Sequence, residues 1–387
     1  MLSSFALEEA VELARAVAVE VAGPEAARTD REARWPEAAL RALMNAGLGG
    51  LVLPRSVGGH GLGLRALAQV CETIAEQCAS TALCFGMHQV AAAVLAAKAT
   101  PAQRDTYLVP IAAGRHLTTL SLSEPGTGAQ FWLPQTTLAT LDGGYEVTGT
   151  KSFVTNGSHA DSYVVSTVAA DPDAPPGMFS AVVAPADTPG MRWVGDWSGV
   201  GMRGNSSRTL ELDHVRLPAD SLLGEQGDQI WYVFEVVAPY FLIAMAGTYL
   251  GVAASSLTLA RDHLLAERHD HTGRVLAANS ILQHRLGELY AYVERTRWLV
   301  YQAGWEADAN SVDALPMLAS AKAEVAACAV DVTNEAMTLA GGIAYRECSP
   351  LERNLRDARA AHVMAPTTDV LRVWAGRALL GLPLLGE

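Results

Sequence analysis

Two neighbouring stretches, HLTTLSLSEPGTGA (116–129) and GGYEVTGTKSFVTNGSHAD (143–161), mark a change of texture in this chain. Both alternate apolar and polar residues with a period of two, the pattern of strands that bury one face. Four further runs share it: TTLATL (136–141), SYVVSTVA (162–169), FSAVVAP (179–185) and RTLELDHVRLP (208–218). Turn chemistry separates them, as in DGG (142–144) and DPDAPPG (171–177). The spacing predicts a small antiparallel barrel or sandwich over residues 118–226.

On either side the period lengthens. EEAVELARAVAVEVA (8–22), PEAALRALMNAGL (36–48), LRALAQVCETIAEQ (64–77) and HQVAAAVLAAKA (88–99) read as helices, broken by LPRSVGGHGLG (53–63). Beyond the strands, four long helical segments are predicted over 228–266, 276–306, 312–340 and 367–380, which suggests a bundle. The order is α, then β, then α. The boundaries fall at 1–117, 118–226 and 227–387, and the fold class is α+β, mainly α.

Half of the 387 residues are hydrophobic, enough for more than one core, and the net charge is −13. The absence of a basic run argues against nucleic acid or an anionic membrane as partner. Five scattered cysteines without CxxC spacing imply a reduced, cytoplasmic protein, and no metal site is expected. The N-terminus carries acids early and reads as a helix, not a leader. Residues 230–260 are apolar enough to span a membrane. Their Ala, Gly and Ser content, with Glu235 and Pro239, favours a buried bundle helix instead.

Four motifs stand in order along this frame. Ser123-Glu124-Pro125-Gly126-Thr127-Gly128-Ala129 ends the first strand, and GGYEVTGTKSFVTNGSHAD follows as a hairpin. Next come Val200-Gly201-Met202-Arg203-Gly204 through Val215-Arg216-Leu217-Pro218, and LERNLRDARAAHVM (351–364) lies near the end. Together they resemble the acyl-CoA dehydrogenase superfamily over almost the whole chain. The resemblance implies a flavoprotein with FAD between the β-domain and the C-terminal bundle. It places Leu122 and Ser123 on the pyrimidine edge of the flavin, with Gly128 and Ala129 beyond them. Phe153 stacks near the ring, and Thr155 approaches N5, where hydride lands. Read without the family, Thr155 and Asn156 are a hairpin turn.

The resemblance also implies that Arg268 reaches the FAD of a neighbouring subunit, although HDHTG (269–273) departs from the family pattern. Read alone, Arg268 is a cation at a helix C-terminus. Gly341 and Gly342 would approach the adenosine side, or form a helix C-cap. Thr367 and Asp369 would serve the cofactor, or cap and charge the last helix. Arg356 and Asp357 read as a buried pair tying the last helices together. A homotetramer is implied, with an electron-transfer flavoprotein or a flavin reductase as redox partner.

The family reaction, α,β-dehydrogenation of an acyl thioester, needs a carboxylate to take the α-proton. Ala365 stands where that Glu usually does, and Phe241 occupies the alternative base position on the preceding bundle helix. Leu242, Ala129 and Gln130 replace family contacts to CoA. Remaining candidates are Glu235, Tyr240 and Asp369, none of them at a usual base position. His88, Trp132, Phe241 and Ala365 are expected around the substrate pocket, with plain packing as the alternative for His88 and Trp132. Three functions follow: an acyl thioester dehydrogenase with an unusual base, a flavin monooxygenase on the same fold, or a base-less subunit working with a homologue. Fold alone does not choose among them.

Overall fold

The computed structural model describes residues 6–385. Met1–Phe5, the start of the segment read as an N-terminal helix, lie outside the described residues. The N-terminal helices are α1 (Leu7–Val17), α2 (Gly23–Arg31), α3 (Glu37–Asn45), α4 (Leu64–Ala75), α5 (Ala79–Ala97) and the short α6 (Pro101–Gln103) and α7 (Val109–Ala112). The strands are β1 (Thr118–Ser121), β2 (Thr137–Leu141), β3 (Gly144–Val154), β4 (Ser162–Ala169), β5 (Phe179–Pro185), β6 (Met191–Val194), β7 (Arg208–Pro218) and β8 (Leu222–Leu223). The C-terminal unit holds α8 (Gln229–Trp231), α9 (Ala238–Ala266), α10 (Ser280–Asp308), α11 (Ala314–Ala340), α12 (Pro350–Val363) and α13 (Thr368–Leu379).

Three differences from the sequence reading have physical causes. The strand order β6-β7-β3-β2-β4-β5-β8 makes a mixed sheet, because β1 and β2 both pair with β4 in parallel while the other ladders are antiparallel. A period of two fixes faces but not strand direction, so the pattern alone could not show this. The Asn156-Gly157 turn is not a hairpin, because β3 and β4 are separated by β2; the hairpin is β2–β3, closed at Asp142-Gly143. Finally, α12 is a helix of its own within the last motif, started by the Ser349 hydroxyl accepting from Glu352 N at 3.1 Å and by Pro350.

Two helices, α5 and the run Gln229–Ala266, are long and apolar enough to cross a membrane, but 94% and 89% of their most apolar stretches are buried inside the protein. Glycines allow the tightest of this packing. A Cβ on Gly247 would sit 2.2 Å from the carbonyl oxygen of Ala68, and one on Gly251 would sit 2.3 Å from that of Glu72. Thus α9 meets α4 backbone to backbone, which fixes the bundle to the N-terminal unit.

Arg356 and Asp357 do not pair with each other. Arg356 grips Asp30 on α2 through two bonds of 2.9 and 2.5 Å, with Glu352 alongside, and donates to Val200 O. Asp357 turns the other way and accepts from the Met202 amide at 2.6 Å. The last motif therefore clamps the first helices and the Val200–Gly204 loop. Burial pushes the Asp357 carboxyl up to about 6, against the pull of the Met202 amide. The native state then holds a proton that an unfolded Asp, near 3.9, releases. Stability should fall as pH rises from about 4 to about 6, by on the order of 3 kcal/mol. Thermal melts of Asp357→Asn should lack that slope; an identical slope in both proteins would refute the assignment.

Candidate active site

The site begins at the free edge of β1. Among the described residues this strand pairs with β4 on one side only, and its last paired residue is Ser121. Leu122 and Ser123 follow, and Ser123 O accepts from Ser152 N at 2.8 Å, which holds the segment against β3. Among the described residues, no backbone carbonyl accepts from the amides of Leu122, Ser123 or Thr155. Leu122 and Thr155 are buried, so donors left open there suit the acceptor atoms along a flavin ring edge.

The β3–β7 register slips between Lys151 and Val154, and Phe153 adopts a positive φ of 54°. That bulge turns its ring out of the ladder. The ring is 67% exposed and meets Trp197 edge-on at 6.3 Å. An aromatic held this open beside unpaired amides fits a flat ring system better than it fits packing. Thr155 is fixed by its hydroxyl, 3.2 Å from Ser207 Oγ, and by its carbonyl, which accepts from Thr119 Oγ1 at 2.9 Å. Asn156 is fully buried, accepts from Trp35 Nε1 at 2.9 Å and donates to Cys84 O at 3.0 Å. The turn thereby locks the β-domain to the N-terminal helices.

Below these groups lies an ion pair that the sequence reading missed. Lys151 is wholly buried on β3 and donates to Glu124 Oε1 at 2.5 Å, Ser166 O at 2.6 Å and Ser166 Oγ at 2.8 Å. The same carboxylate accepts from Gln135 N at 2.7 Å and Thr136 N at 3.1 Å. Glu124 therefore closes the 124–136 loop, and Lys151 ties it to β3 and β4. Burial pushes the Lys151 ammonium down to about 8, against the pull of Glu124. The signal was available: Lys151 shares strand parity with inward-facing Val147.

Facing this edge, Val237, Ala238 and Phe241 at the start of α9, with Phe131, Met87 and Ala365, close a cleft of about 60 Å³. Leu122, Ser123 and Phe153 line it too. Phe131 belongs to an aromatic group in which Trp132 lies 5.4 Å from Phe131 and 5.6 Å from Trp374. Among the described lining residues there is no carboxylate, imidazole or amine.

The other sequence candidates fall elsewhere. His88 is in the middle of α5, fully buried, with Nε2 at 3.0 Å from Gly49 O and Nδ1 accepting from Thr118 N. Burial pushes its pKa down to about 4. Glu235 is neither a core ion nor a cleft group but exposed, because a π-helical turn at Tyr232–Val237 carries it to the outside. Burial raises the Tyr240 phenol, and the charge of Asp308 adds to it. Asp369 is exposed in the first turn of α13, where Thr367 occupies the N-cap position. Gly128 and Ala129 lie on the loop after β1. Arg268 sits in the exposed segment after α9 and donates to Gly273 O at 3.2 Å. Gly341 and Gly342 end α11, with nothing within 4 Å of where a Cβ would be. None of these lines the cleft within one subunit.

An open strand edge and an outward aromatic face a buried bundle helix across a narrow cleft, an arrangement that suits a flavoprotein dehydrogenase. Family models described as the N-terminal, middle and C-terminal domains of acyl-CoA dehydrogenase match residues 6–115, 119–215 and 239–380. The chain belongs to the acyl-CoA dehydrogenase family and is a FAD-dependent oxidoreductase. It is 27% identical to a probable acyl-CoA dehydrogenase, YngJ, of Bacillus subtilis, over 92% of this chain and 93% of that one. It is 28% identical to the human mitochondrial short-chain specific acyl-CoA dehydrogenase, over 90% and 84%. Butyryl-CoA dehydrogenase of Megasphaera elsdenii superimposes with a TM-score of 0.91 at 25% identity, over 97% and 98%. PigA with FAD and proline, at 20% identity and 97% coverage of each chain, shares the fold with a TM-score of 0.88.

Proposed function

We propose that this protein oxidises a small acyl thioester at the α,β-bond in the cytoplasm, as a homotetramer that passes electrons to an electron-transfer flavoprotein. The observation that carries the reading is the meeting of Leu122, Ser123, Phe153, Phe241 and Ala365 around one cleft. FAD, when bound, supplies the hydride acceptor for the β-carbon. The amides of Leu122 and Ser123, with Phe153 and Thr155 beside them, would be the groups that hold it. Arg268, Gly341 and Gly342 lie outside the cleft of their own subunit, which suits a role toward the cofactor of a neighbour. Phe131, Val237, Ala238 and Phe241 make the wall of the cleft apolar, which suits the hydrocarbon part of an acyl group.

The α-proton has no acceptor among the described residues that line the cleft, and this favours a second reading. A flavin-dependent monooxygenase on the same fold uses molecular oxygen and reduced flavin from a reductase, and it needs no carbon-acid base. The two readings separate on one preparation. Anaerobic addition of short acyl-CoAs that bleaches the flavin supports dehydrogenation. Oxygen uptake only with a flavin reductase and its reductant, and no bleaching, supports oxygenation. In either case Thr155→Val should weaken FAD retention or slow flavin reduction several-fold. Unchanged flavin content and reduction rate would remove Thr155 from the cofactor.

A further inference from the structure

Lys322 lies in the middle of α11, fully buried, and no carboxylate among the described residues pairs with it. Its ammonium instead donates to three backbone carbonyls: Ala361 O at 2.8 Å, Met364 O at 3.2 Å and Pro366 O at 3.0 Å. An ammonium has three N–H donors, so all are used. These carbonyls are not scattered. Ala361 belongs to the last turn of α12, where carbonyls lack intrahelical partners. Met364 and Pro366 bracket Ala365, the residue this segment contributes to the cleft wall. Leaving a charged side chain in the core without a counter-ion is costly, and such groups persist where bonds to the charge compensate. A second tie closes the far side of the loop, where His362 Nδ1 lies 3.0 Å from Thr368 Oγ1.

We infer that Lys322 is a positioning residue: by holding the carbonyls of Ala361, Met364 and Pro366 it fixes the loop that presents position 365 to the cleft. It touches neither substrate nor flavin ring and acts through the backbone of Ala365. The inference rests on the cleft being the reaction site, but the geometry of the loop is separable from the chemistry done there.

The test uses FAD-loaded protein with Lys322 intact or changed to Met, each with Ala or Glu at position 365. Hydrogen exchange of the segment 361–368 reads the loop directly. Lys322→Met should accelerate exchange there at least tenfold while α9 and α10 keep their protection. In the Ala365→Glu background, the limiting rate of anaerobic bleaching by a short acyl-CoA should drop at least tenfold. The half-saturating concentration and the flavin content should change less than twofold. Lys322→Ala should regain the rate with n-propylammonium but not with n-propanol, a rescue that a purely volumetric role cannot give.

Unchanged exchange and rate would overturn the inference, as would loss of protection spread evenly over the bundle. Failure of both Lys322 variants to fold, even with n-propylammonium, would assign Lys322 to plain structure. If no acyl-CoA bleaches any of the proteins, the thioester reading fails, and Lys322 is judged by the exchange pattern alone.

Discussion

Lys151→Met should destabilise the protein by about 3–5 kcal/mol and leave it unable to retain FAD, the largest loss of stability expected from any single change near the site. The reason is asymmetry. Glu124 would stay buried with its two backbone donors, Gln135 N and Thr136 N, but without its cation. A carboxylate there must then protonate or drag in water, and either response loosens the 124–136 loop. The backbone at Leu122 and Ser123 would lose its anchor together with the loop. Replacing both partners, as Lys151→Met with Glu124→Leu, should recover much of the stability, since an apolar pair leaves no stranded charge. Flavin should return only partly, because Leu cannot accept from Gln135 N and Thr136 N. Denaturant unfolding with flavin absorbance on the same samples checks both points. A loss under 1 kcal/mol for the single variant would sink the account.

Ala365→Glu should raise the rate of flavin reduction by a short acyl-CoA 10²- to 10⁴-fold, the range a placed general base contributes. Ala365 lines the cleft opposite Leu122 and Ser123, and Phe131 and Phe241 keep the space apolar. A carboxyl introduced there is poorly solvated, which raises its pKa toward the value a base needs near neutrality. Rapid-mixing absorbance under anaerobic conditions, with acyl-CoAs of increasing length, reads the effect. An unchanged rate with every chain length, in a variant that keeps its flavin, would turn the assignment toward oxygenation.

The frame of the molecule was legible because its two periodicities differ. Strand parity marks the middle unit, and the helical pattern marks both flanks, so the α–β–α order follows from local signals. The motifs around the cleft were legible where they lie in consecutive residues, and Leu122, Ser123 and Phe153 do meet at its wall. Pairing across distance was not. Lys151 and Glu124 are far apart in sequence, and only the inward parity of Lys151 hinted at a buried partner. The apolar run around Glu235 gives no sign of its exposure, because one π-helical turn shifts the register and carries it outside. The role of Lys322 left no local trace, since its partners are backbone carbonyls that any side chain could precede.

The grip of Arg356 on Asp30 spans 326 residues of chain. At ~5–20 residues per second, a ribosome that has released α2 needs roughly 15–65 s more before the guanidinium that completes it emerges. During that interval α2 carries a carboxylate made for a partner not yet synthesised. The N-terminal helices therefore fold first without this ion pair, and its closure is a late event of biosynthesis. A premature stop just before α12 would release chains whose opening third is complete in sequence yet never closed, suitable clients for chaperones and proteases.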